Sequence, residues 1–475
     1  MHVQVTAAAP AEVAADLLAV AAGSARAGEL DALLGGRLAR AAADGEPVAL
    51  VHADGEVAAR RVAAVQVETP DAEGLRTAAA RAVRALRGGG TVAWALDEAA
   101  APAAEEQVRG LAEGAVLASY DAGGWKSGER PPGVERFVVC GADEALAPVA
   151  ARAEVVARWT NVARRLVDAP PNVVSPRGLA ERASAIDGLR IDVLEARAHA
   201  LHALAAVGAS GSDALLIVLR HDPPGAPASP RLALVGKAVT FDAGGYFLKP
   251  QADIVRQKSD MAGGAAVISA LGAIAELGLP LRVVGVVPAC ENLLGVGAIR
   301  PGDVIGTAAG LTVEVTNPDA EGRLILADAL WYARRDGATH IVDLATLTGA
   351  MRAAMGDLYG GVFGSDDAWR DAVVDAGNRS GDLAWPWPLH PRYRRLLEST
   401  VADLRNTSGK SFGFPITAAT LLQRFAGDGP WAHVDMLGPA FLEDDRGDAL
   451  GRGASGYGVR MLVELVTRIA GGRPQ

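Results

Sequence analysis

Apolar and polar positions along the first 150 residues follow two different periods. Ala-rich stretches with apolar residues at helical spacing predict helices over residues 11–20 and 72–86. Short apolar runs between them predict strands over residues 47–52, 91–96 and 136–140. This alternation of helices and strands predicts an α/β fold for the N-terminal part of the chain.

The next segment predicts a long helix with a clear end. Residues 148–168 have apolar positions at helical spacing, and Ala169-Pro170-Pro171 then stops the helix. We place a domain boundary here. The prediction is an N-terminal α/β domain over residues 1–150, a linking helix over residues 151–168 and a C-terminal catalytic domain over residues 169–475.

Beyond this helix, apolar strand-like runs alternate with helix-like segments. The runs cover residues 214–219, 232–235, 281–287, 312–315 and 340–344, and the helical segments cover residues 264–277 and 324–335. Strands that are apolar throughout and separated by helices are typical of a covered, mostly parallel sheet. The predicted fold class is therefore α/β, with a smaller N-terminal α/β domain and a larger C-terminal α/β/α domain that carries the functional site on its central sheet.

Composition narrows the class of protein. Half of the residues are apolar, but no uncharged run reaches the ~20 residues that a membrane helix needs. The N-terminus lacks the basic region of a secretory signal, and two cysteines are too few for a disulfide framework. The net charge of -10 argues against a nucleic-acid partner. We expect a cytoplasmic protein that binds neither membranes nor nucleic acid.

Lysine is rare in this chain and concentrated in one place. Only five of the 46 basic residues are lysine, and Lys237, Lys249 and Lys258 fall within 22 residues. Arginine stays protonated in proteins, whereas the pKa of lysine shifts readily when the amine is buried or crowded by charge. These retained lysines indicate chemistry that needs a tunable amine.

Four carboxylates accompany those lysines. Asp242 and Asp260 lie in the same stretch, and Asp319 and Glu321 follow the run at 312–315. Because ligands of α/β sheets bind at the carboxyl ends of strands, we expect these residues to meet at one edge of the central sheet. Close carboxylates repel one another unless a cation neutralises them, and two divalent ions would balance four. Lys237 could join such a site only as a neutral amine.

Taken singly, each of these residues has an ordinary structural explanation. A lone Lys or Asp after a strand is usually a solvated loop residue, and the acids of DAEGR could simply favour the N-terminal end of a helix dipole. Their joint occurrence at predicted strand ends favours the metal site.

Several segments resemble those of the leucyl (cytosol) aminopeptidase family of dinuclear metallopeptidases. They are GKAVTFDAGG, FLKP, KSDMAGGAA, NPDAEGRL and DLATLTGA, and the resemblance extends over roughly residues 155–470. It implies a metal-dependent enzyme that removes N-terminal amino acids from peptides with a free N-terminus. It also implies two divalent ions, Mn²⁺ or Zn²⁺, that activate a water molecule, and a homohexamer.

The resemblance also assigns roles to residues. It implies five metal ligands: Lys237, Asp242, Asp260, Asp319 and Glu321. Lys237 and Asp260 would serve one ion, Asp319 the other, and Asp242 and Glu321 both. Two further positions would be catalytic, with Lys249 stabilising the oxyanion and Arg323 holding a bicarbonate that acts as general base.

The chain departs from the family pattern at positions beside these residues. Pro318 replaces the usual Thr and Ala238 replaces a Gly, each next to a ligand. Gln257 stands where the family often has an apolar residue near the pocket for the first side chain, so a preference for leucine does not follow. Thr346 and Gly349 are expected near that pocket. His433 and Asp435 are interpreted as buried support for the site.

The sequence leaves two other functions open. A metal-dependent phosphoesterase should have more histidines and cationic groups around its metals, and no histidine occurs in the ligand segments. A catalytically silent scaffold or DNA-binding relative should have lost ligands, whereas all seven positions are filled.

Overall fold

The chain folds into two units, each built around its own sheet. The computed structural model describes residues 1–86 and 88–472. The first unit comprises Met1–Asn161 with Asp444–Arg452, and the second comprises Val162–Glu443 and the chain from Gly453 onward. The domain boundaries stated above stay a prediction.

The first unit contains a six-stranded sheet in the order β1-β6-β5-β2-β4-β3. Its neighbouring strands are parallel except for β3 and β4. Within the described residues the strands are β1 (His2–Thr6), β2 (Leu17–Ala21), β3 (Val48–His52), β4 (Arg61–Val65), β5 (Gly90–Ala95) and β6 (Val134–Cys140). The helices are α1 (Ala25–Leu33), α2 (Arg37–Ala42), α3 (Ala72–Ala85), α4 (Ala104–Ala118) and α5 (Ala147–Asp168), which ends in the second unit.

Most elements predicted for this part of the chain are confirmed, but the helix predicted over residues 11–20 is wrong. Pro10–Glu12 form a short 3-10 helix, and β2 follows at Leu17–Ala21. This strand lies between β4 and β5, and Leu17 to Val20 are fully buried. A strand buried on both faces lacks alternation, so its apolar run does not differ from that of a buried helix.

The second unit is organised around a nine-stranded mixed sheet. Its order is β16-β15-β18-β14-β9-β11-β8-β7, with β10 paired to β11. Five strand pairs are parallel and three are antiparallel, which confirms a mostly parallel sheet. Its strands are β7 (Arg190–Glu195), β8 (Leu215–His221), β9 (Arg231–Gly236), β10 (Ala238–Asp242), β11 (Arg282–Asn292), β14 (His340–Ala345), β15 (Gly360–Gly364), β16 (Ala384–Pro386) and β18 (Trp431–Asp435).

Helices cover this sheet and bury its apolar strands. They are α6 (Pro176–Ser184), α7 (His202–Val207), α8 (Gln251–Ile254), α9 (Ala262–Glu276), α10 (Gly322–Arg335), α11 (Gly349–Met355), α12 (Asp367–Ser380), α13 (Phe414–Gln423), α14 (Leu437–Ala440) and α15 (Val459–Ala470). The α9 helix packs very closely on the sheet, because a Cβ at Gly263 would lie 2.2 Å from the carbonyl oxygen of Leu344 in β14. This contact brings the start of α9 to the carboxyl end of β14. No helix of the described residues is long and apolar enough to cross a membrane.

One predicted strand of the central sheet belongs elsewhere. Residues 312–315 form β13 (Thr312–Glu314), which pairs with β12 (Val304–Gly306) and β17 (Leu404–Arg405) in a separate three-stranded sheet. Only Val313 of β13 is fully buried, whereas central strands such as β8 are buried along their whole length. A further two-stranded sheet pairs β19 (Phe441–Leu442) with β20 (Gly453–Ala454).

Candidate active site

The chain between β9 and β10 supplies the first two residues of the predicted site. Lys237 lies between the two strands, and its backbone N-H donates to the carbonyl of Leu344 at 3.0 Å. Asp242 is the last residue of β10. Both residues are buried, with 3% and 2% of their surface exposed. The two residues follow strands of the central sheet, as the sequence predicts.

Helix ends and turns position the remaining residues. Asp260 lies between the 3-10 helix Val255–Ser259 and α9, and Glu321 immediately precedes α10. Asp319 and Glu321 follow β13, so they reach the site from outside the central sheet, which corrects their predicted placement. Arg323 occupies the first turn of α10, where backbone N-H groups favour anions.

The structure brings the predicted ligands together. Ligand atoms of Asp242, Asp319 and Glu321 all lie within 4.8 Å of one another. Asp260 joins them through Lys237, whose Nζ lies 2.8 Å from Asp260 Oδ2 and 2.7 Å from Glu321 Oε1. A Cβ at position 322 would lie 2.6 Å from Lys237 Nζ, so the lysine side chain requires glycine at the start of α10.

Lys249 approaches the same carboxylates from a tight turn. Its Nζ lies 2.8 Å from Asp242 Oδ2 and also contacts Asp319 Oδ1. The turn is closed by hydrogen bonds from Lys249 N to Ala243 O and from Phe247 N to Gly244 O. The side chain of Lys249 is 16% exposed, whereas that of Lys237 is 3% exposed. Of the two amines, Lys249 is therefore the more accessible to solvent and substrate.

Burial and crowding set the protonation of the acids. Burial, together with the charge of Glu321, raises the pKa of Asp242 to about 6. Burial also raises the pKa of Asp260 and that of Asp319. Glu321 behaves differently, because Lys237 and Lys249 outweigh the effect of burial and lower its pKa. The three aspartates are therefore harder to ionise in the absence of further positive charge.

The two lysines respond to the same charges in the opposite sense. Burial disfavours their ammonium forms, but the neighbouring carboxylates outweigh it and raise the pKa of both Lys237 and Lys249. With all four carboxylates ionised and both lysines protonated, the cluster would carry a formal charge of -2. Glu321 Oε2 is also buried with no hydrogen-bond partner among the described residues. Excess negative charge and an unpaired carboxylate oxygen are what a bound divalent cation would satisfy.

Arg323 is buried beside this cluster without a carboxylate hydrogen-bonded to it. Its Nη1 donates to the carbonyl of Asn406 at 2.9 Å, and its Nε has no hydrogen-bond partner among the described residues. Burial lowers the pKa of Arg323 to about 10. A buried guanidinium with free donor capacity is suited to bind a small anion.

Other side chains support the ligands by hydrogen bonds. Thr346 Oγ1 donates to Asp260 Oδ1 at 2.7 Å, and the Thr346 carbonyl accepts from Lys237 Nζ at 3.1 Å. Asp435 accepts from Thr348 Oγ1 at 2.6 Å and from the backbone N-H of Leu347, so it holds the loop that carries Thr346. These contacts agree with the interpretation of Asp435 as buried support.

His433 contacts another acid rather than the predicted ligands. Its Nδ1 lies 2.6 Å from Asp343 Oδ1. Although burial disfavours the charged ring, Asp343 raises the pKa of His433. Gln257 lies in the 3-10 helix before Asp260 and donates to the carbonyl of Asp253, and Gly349 begins α11.

The sequence did not single out two buried asparagines. Asn292, at the end of β11, donates from Nδ2 to Asp242 Oδ1 at 2.8 Å and to the carbonyl of Pro318 at 3.2 Å. Because Asn292 lies at the end of a strand, its position could have indicated a role in the site. Asn406 contacts the loop that carries Asp319, but the polar segment around it gave no indication of this role.

Carboxylates and lysines clustered beside a covered, mostly parallel sheet have the chemistry that a metal-dependent hydrolase needs. Residues 161–463 match the cytosol aminopeptidase family, catalytic domain. The chain belongs to this family. It is a leucyl aminopeptidase-type hydrolase with metal-dependent aminopeptidase activity.

Individual relatives support this membership. A protein from Solibacter usitatus (strain Ellin6076) named "Probable cytosol aminopeptidase" is 40% identical over 403 residues, which cover 83% of each chain. The structure of the bottromycin maturation enzyme BotP in complex with Mn has a TM-score of 0.87 and 35% identity, covering 96% of this chain and 100% of that one. A mutant of tomato leucine aminopeptidase also has a TM-score of 0.87, with 31% identity, covering 98% and 96% of the two chains.

Proposed function

We propose that this chain hydrolyses the N-terminal peptide bond of peptides with two divalent ions held by Lys237, Asp242, Asp260, Asp319 and Glu321. The observation that carries the proposal is the convergence of three carboxylates within 4.8 Å beside two lysines. The donor set fits, because carboxylate oxygens suit divalent Mn²⁺ and Zn²⁺ and the buried Glu321 Oε2 lacks another partner. The family assignment of Lys237 and Asp260 to one ion agrees with their direct contact.

Bound ions would supply Lewis-acid polarisation of the scissile carbonyl and a water molecule of lowered pKa. The chain's own residues prepare the site for that chemistry. Lys237 must give up a proton to act as a ligand, because only the neutral amine has a lone pair. The neighbouring carboxylates hold Lys237 in its ammonium form. Cations bound to those carboxylates would neutralise them and so favour the neutral amine.

Lys249 and Arg323 would be the catalytic residues. Lys249 keeps its positive charge beside Asp242 and Asp319, and its partial exposure would let it donate to the oxygen that becomes negative in the transition state. Arg323 has an unpaired Nε in a buried setting, where it would hold bicarbonate, an anion with the chemistry of a general base.

We also propose Mn²⁺ as the metal, the cytosol as the location and a homohexamer as the assembly. The BotP structure contains Mn, so Mn²⁺ is the first ion to test. The names of the relatives favour a cytosolic enzyme, and the family resemblance favours a homohexamer. Gln257, a polar residue near the expected pocket, does not favour a preference for leucine.

The test compares two substrate classes on one protein. Purified protein is loaded with Mn²⁺ or Zn²⁺ and offered aminoacyl-anilides, their N-acetylated forms and aryl phosphates. We expect amine release from the free aminoacyl-anilides alone. Phosphate release without amine release would refute the peptidase assignment, and cleavage of the N-acetylated substrates would refute the requirement for a free N-terminus.

A further inference from the structure

The side chain of Asn406 is fully buried and makes hydrogen bonds to the loop that carries Asp319. Asn406 follows β17 directly, and none of its surface is exposed. Its side-chain oxygen accepts from Thr316 N at 2.8 Å, from Thr316 Oγ1 at 3.1 Å and from Asn317 N at 3.2 Å. Its Nδ2 donates to the carbonyls of Asn317 at 2.6 Å and Ala320 at 3.4 Å. One amide thus holds both ends of the loop 316–320.

These contacts use the full capacity of the amide group. An asparagine offers two lone pairs on its oxygen and two N-H donors on its nitrogen, and both kinds are engaged here. The loop ends at Ala320, between the proposed ligands Asp319 and Glu321. The hydrogen bond to the carbonyl of Ala320 therefore restricts the backbone that carries Asp319 and Glu321.

The backbone of Asn406 connects the same loop to Arg323. Its N-H donates to the carbonyl of Glu314 at 2.9 Å and so continues the pairing of β17 with β13. Its carbonyl accepts from Arg323 Nη1 at 2.9 Å. Among the hydrogen bonds of the described residues, this is the one that the guanidinium of Arg323 makes. A single residue therefore links the arginine to the ligand loop.

We propose that Asn406 is a positioning residue that sets the placement of Asp319 and Glu321 relative to Arg323. This inference rests on the proposed two-ion function. Groups that hold the ligands of a metal site typically change metal affinity or activity 10–100-fold when they are lost. A displacement of about 1 Å between reacting groups has an effect of similar size.

The substitution Asn406→Asp changes the chemistry while keeping the shape. It replaces the Nδ2 donor with an oxygen that faces the carbonyls of Asn317 and Ala320. Two acceptors then oppose each other, which should push the loop away. Thr407→Val is the matched control, because Thr407 is the next residue, is also buried and contacts Thr316 only through the two hydroxyls and its own carbonyl.

The experiment measures metal binding as well as turnover. Metal-free wild type, Asn406→Asp and Thr407→Val are titrated with Mn²⁺ by calorimetry, and kcat and KM for an aminoacyl-anilide are measured at saturating Mn²⁺. We expect Asn406→Asp to weaken at least one Mn²⁺ about 10–100-fold and to lower kcat by a similar factor, with KM changed less than about threefold. Thr407→Val should stay within about threefold of wild type in every quantity.

Each outcome decides between clear alternatives. Wild-type Mn²⁺ affinity and kcat in a folded Asn406→Asp protein would overturn the inference, even if its melting temperature fell. If Asn406→Asp does not fold, Asn406→Ala is used instead, since it removes the donor to Ala320 O without adding a buried charge. A wild type that binds fewer than two ions would refute the proposed function itself, whatever the variants do.

Discussion

At the scale of single residues, the two lysines of the site contact different members of one carboxylate cluster and differ in burial. Lys237 is packed against the start of α10 and contacts Asp260, Glu321 and the carbonyl of Thr346. Lys249 contacts Asp242 and Asp319 from a turn and remains partly exposed. These surroundings suit the first lysine for a fixed ligand and the second for contact with substrate.

Arginine substitutions should separate the two roles. Lys237→Arg should lower metal occupancy, because the guanidinium stays protonated and cannot bind a metal. The Lys237 side chain also already fills the space beside Gly322, which leaves no room for the larger group. Lys249→Arg should leave both ions bound and lower turnover about 100-fold, because the charge remains but its position shifts. Metal content by elemental analysis and kcat at saturating Mn²⁺ test both. Equal loss of metal in the two variants would contradict the assignment.

Gly322 offers a second test at this scale. In Gly322→Ala the new Cβ would lie 2.6 Å from Lys237 Nζ and 2.9 Å from its Cδ. The lysine cannot yield freely because three oxygens fix its amine. We expect Mn²⁺ affinity to fall at least about tenfold, measured by titration calorimetry.

Gly28→Ala provides the matched control for that substitution. Gly28 lies within α1, and a Cβ there meets nothing within 4 Å. It should leave Mn²⁺ binding unchanged and slightly stabilise the helix. The packing explanation fails if Gly322→Ala binds Mn²⁺ as tightly as Gly28→Ala does.

At the scale of elements, α10 is anchored by a buried acid as well as by the site at its start. Asp328 accepts hydrogen bonds from the backbone N-H groups of Ala203 and Leu204, at the start of α7, and from that of Ala308. Burial outweighs these donors and raises the pKa of Asp328 to about 6. The helix that positions Glu321 and Arg323 therefore carries a pH-sensitive anchor.

Because the pKa of Asp328 is raised in the folded state, its contribution to the free energy of unfolding falls as the pH rises. The folded state binds a proton at Asp328 more tightly than the unfolded state does, so the stability from this group is complete below pH ~4 and declines as the pH rises to ~6. Relative to Asp328→Asn, wild type should lose about 3 kcal/mol of unfolding free energy over that interval. Urea unfolding at a series of pH values measures the difference, and a constant difference would contradict the prediction.

Some helices and strands could be predicted from the sequence, and others could not. The central strands and the helices α9 and α10 were predictable because long apolar runs and helical periods reflect burial directly. β2 was not, since Leu17 to Val20 are buried on both faces and carry no period. The kinds of residue in the site could be predicted, because lysines and carboxylates that lie close together in the sequence indicate a metal site. The separate sheet of β13 and the role of Asn406 depend on contacts between distant segments, which no local pattern records.

At the scale of the whole molecule, each chain contains every proposed ligand and both proposed catalytic residues within one unit. Assembly is therefore not needed to bring these side chains together. Several large apolar side chains near the site are nevertheless exposed: Tyr246, Phe247, Leu248, Leu294 and Val296. The loops that carry them are adjacent, because Ala243 N donates to the carbonyl of Asn292. Exposed apolar loops of this kind are typical of surfaces that other chains cover.

The proposed homohexamer gives the last prediction. Six copies of the 48.6 kDa chain amount to about 290 kDa, which light scattering after size exclusion measures directly. We expect this mass with and without Mn²⁺, because the ligands lie within a single chain. Val296→Asp should lower the mass without changing metal content if the exposed loops are covered in the assembly, whereas Val401→Asp, at another exposed apolar position, serves as its control. A wild-type mass near 48.6 kDa at micromolar concentration would contradict the hexamer and leave the metal site unaffected.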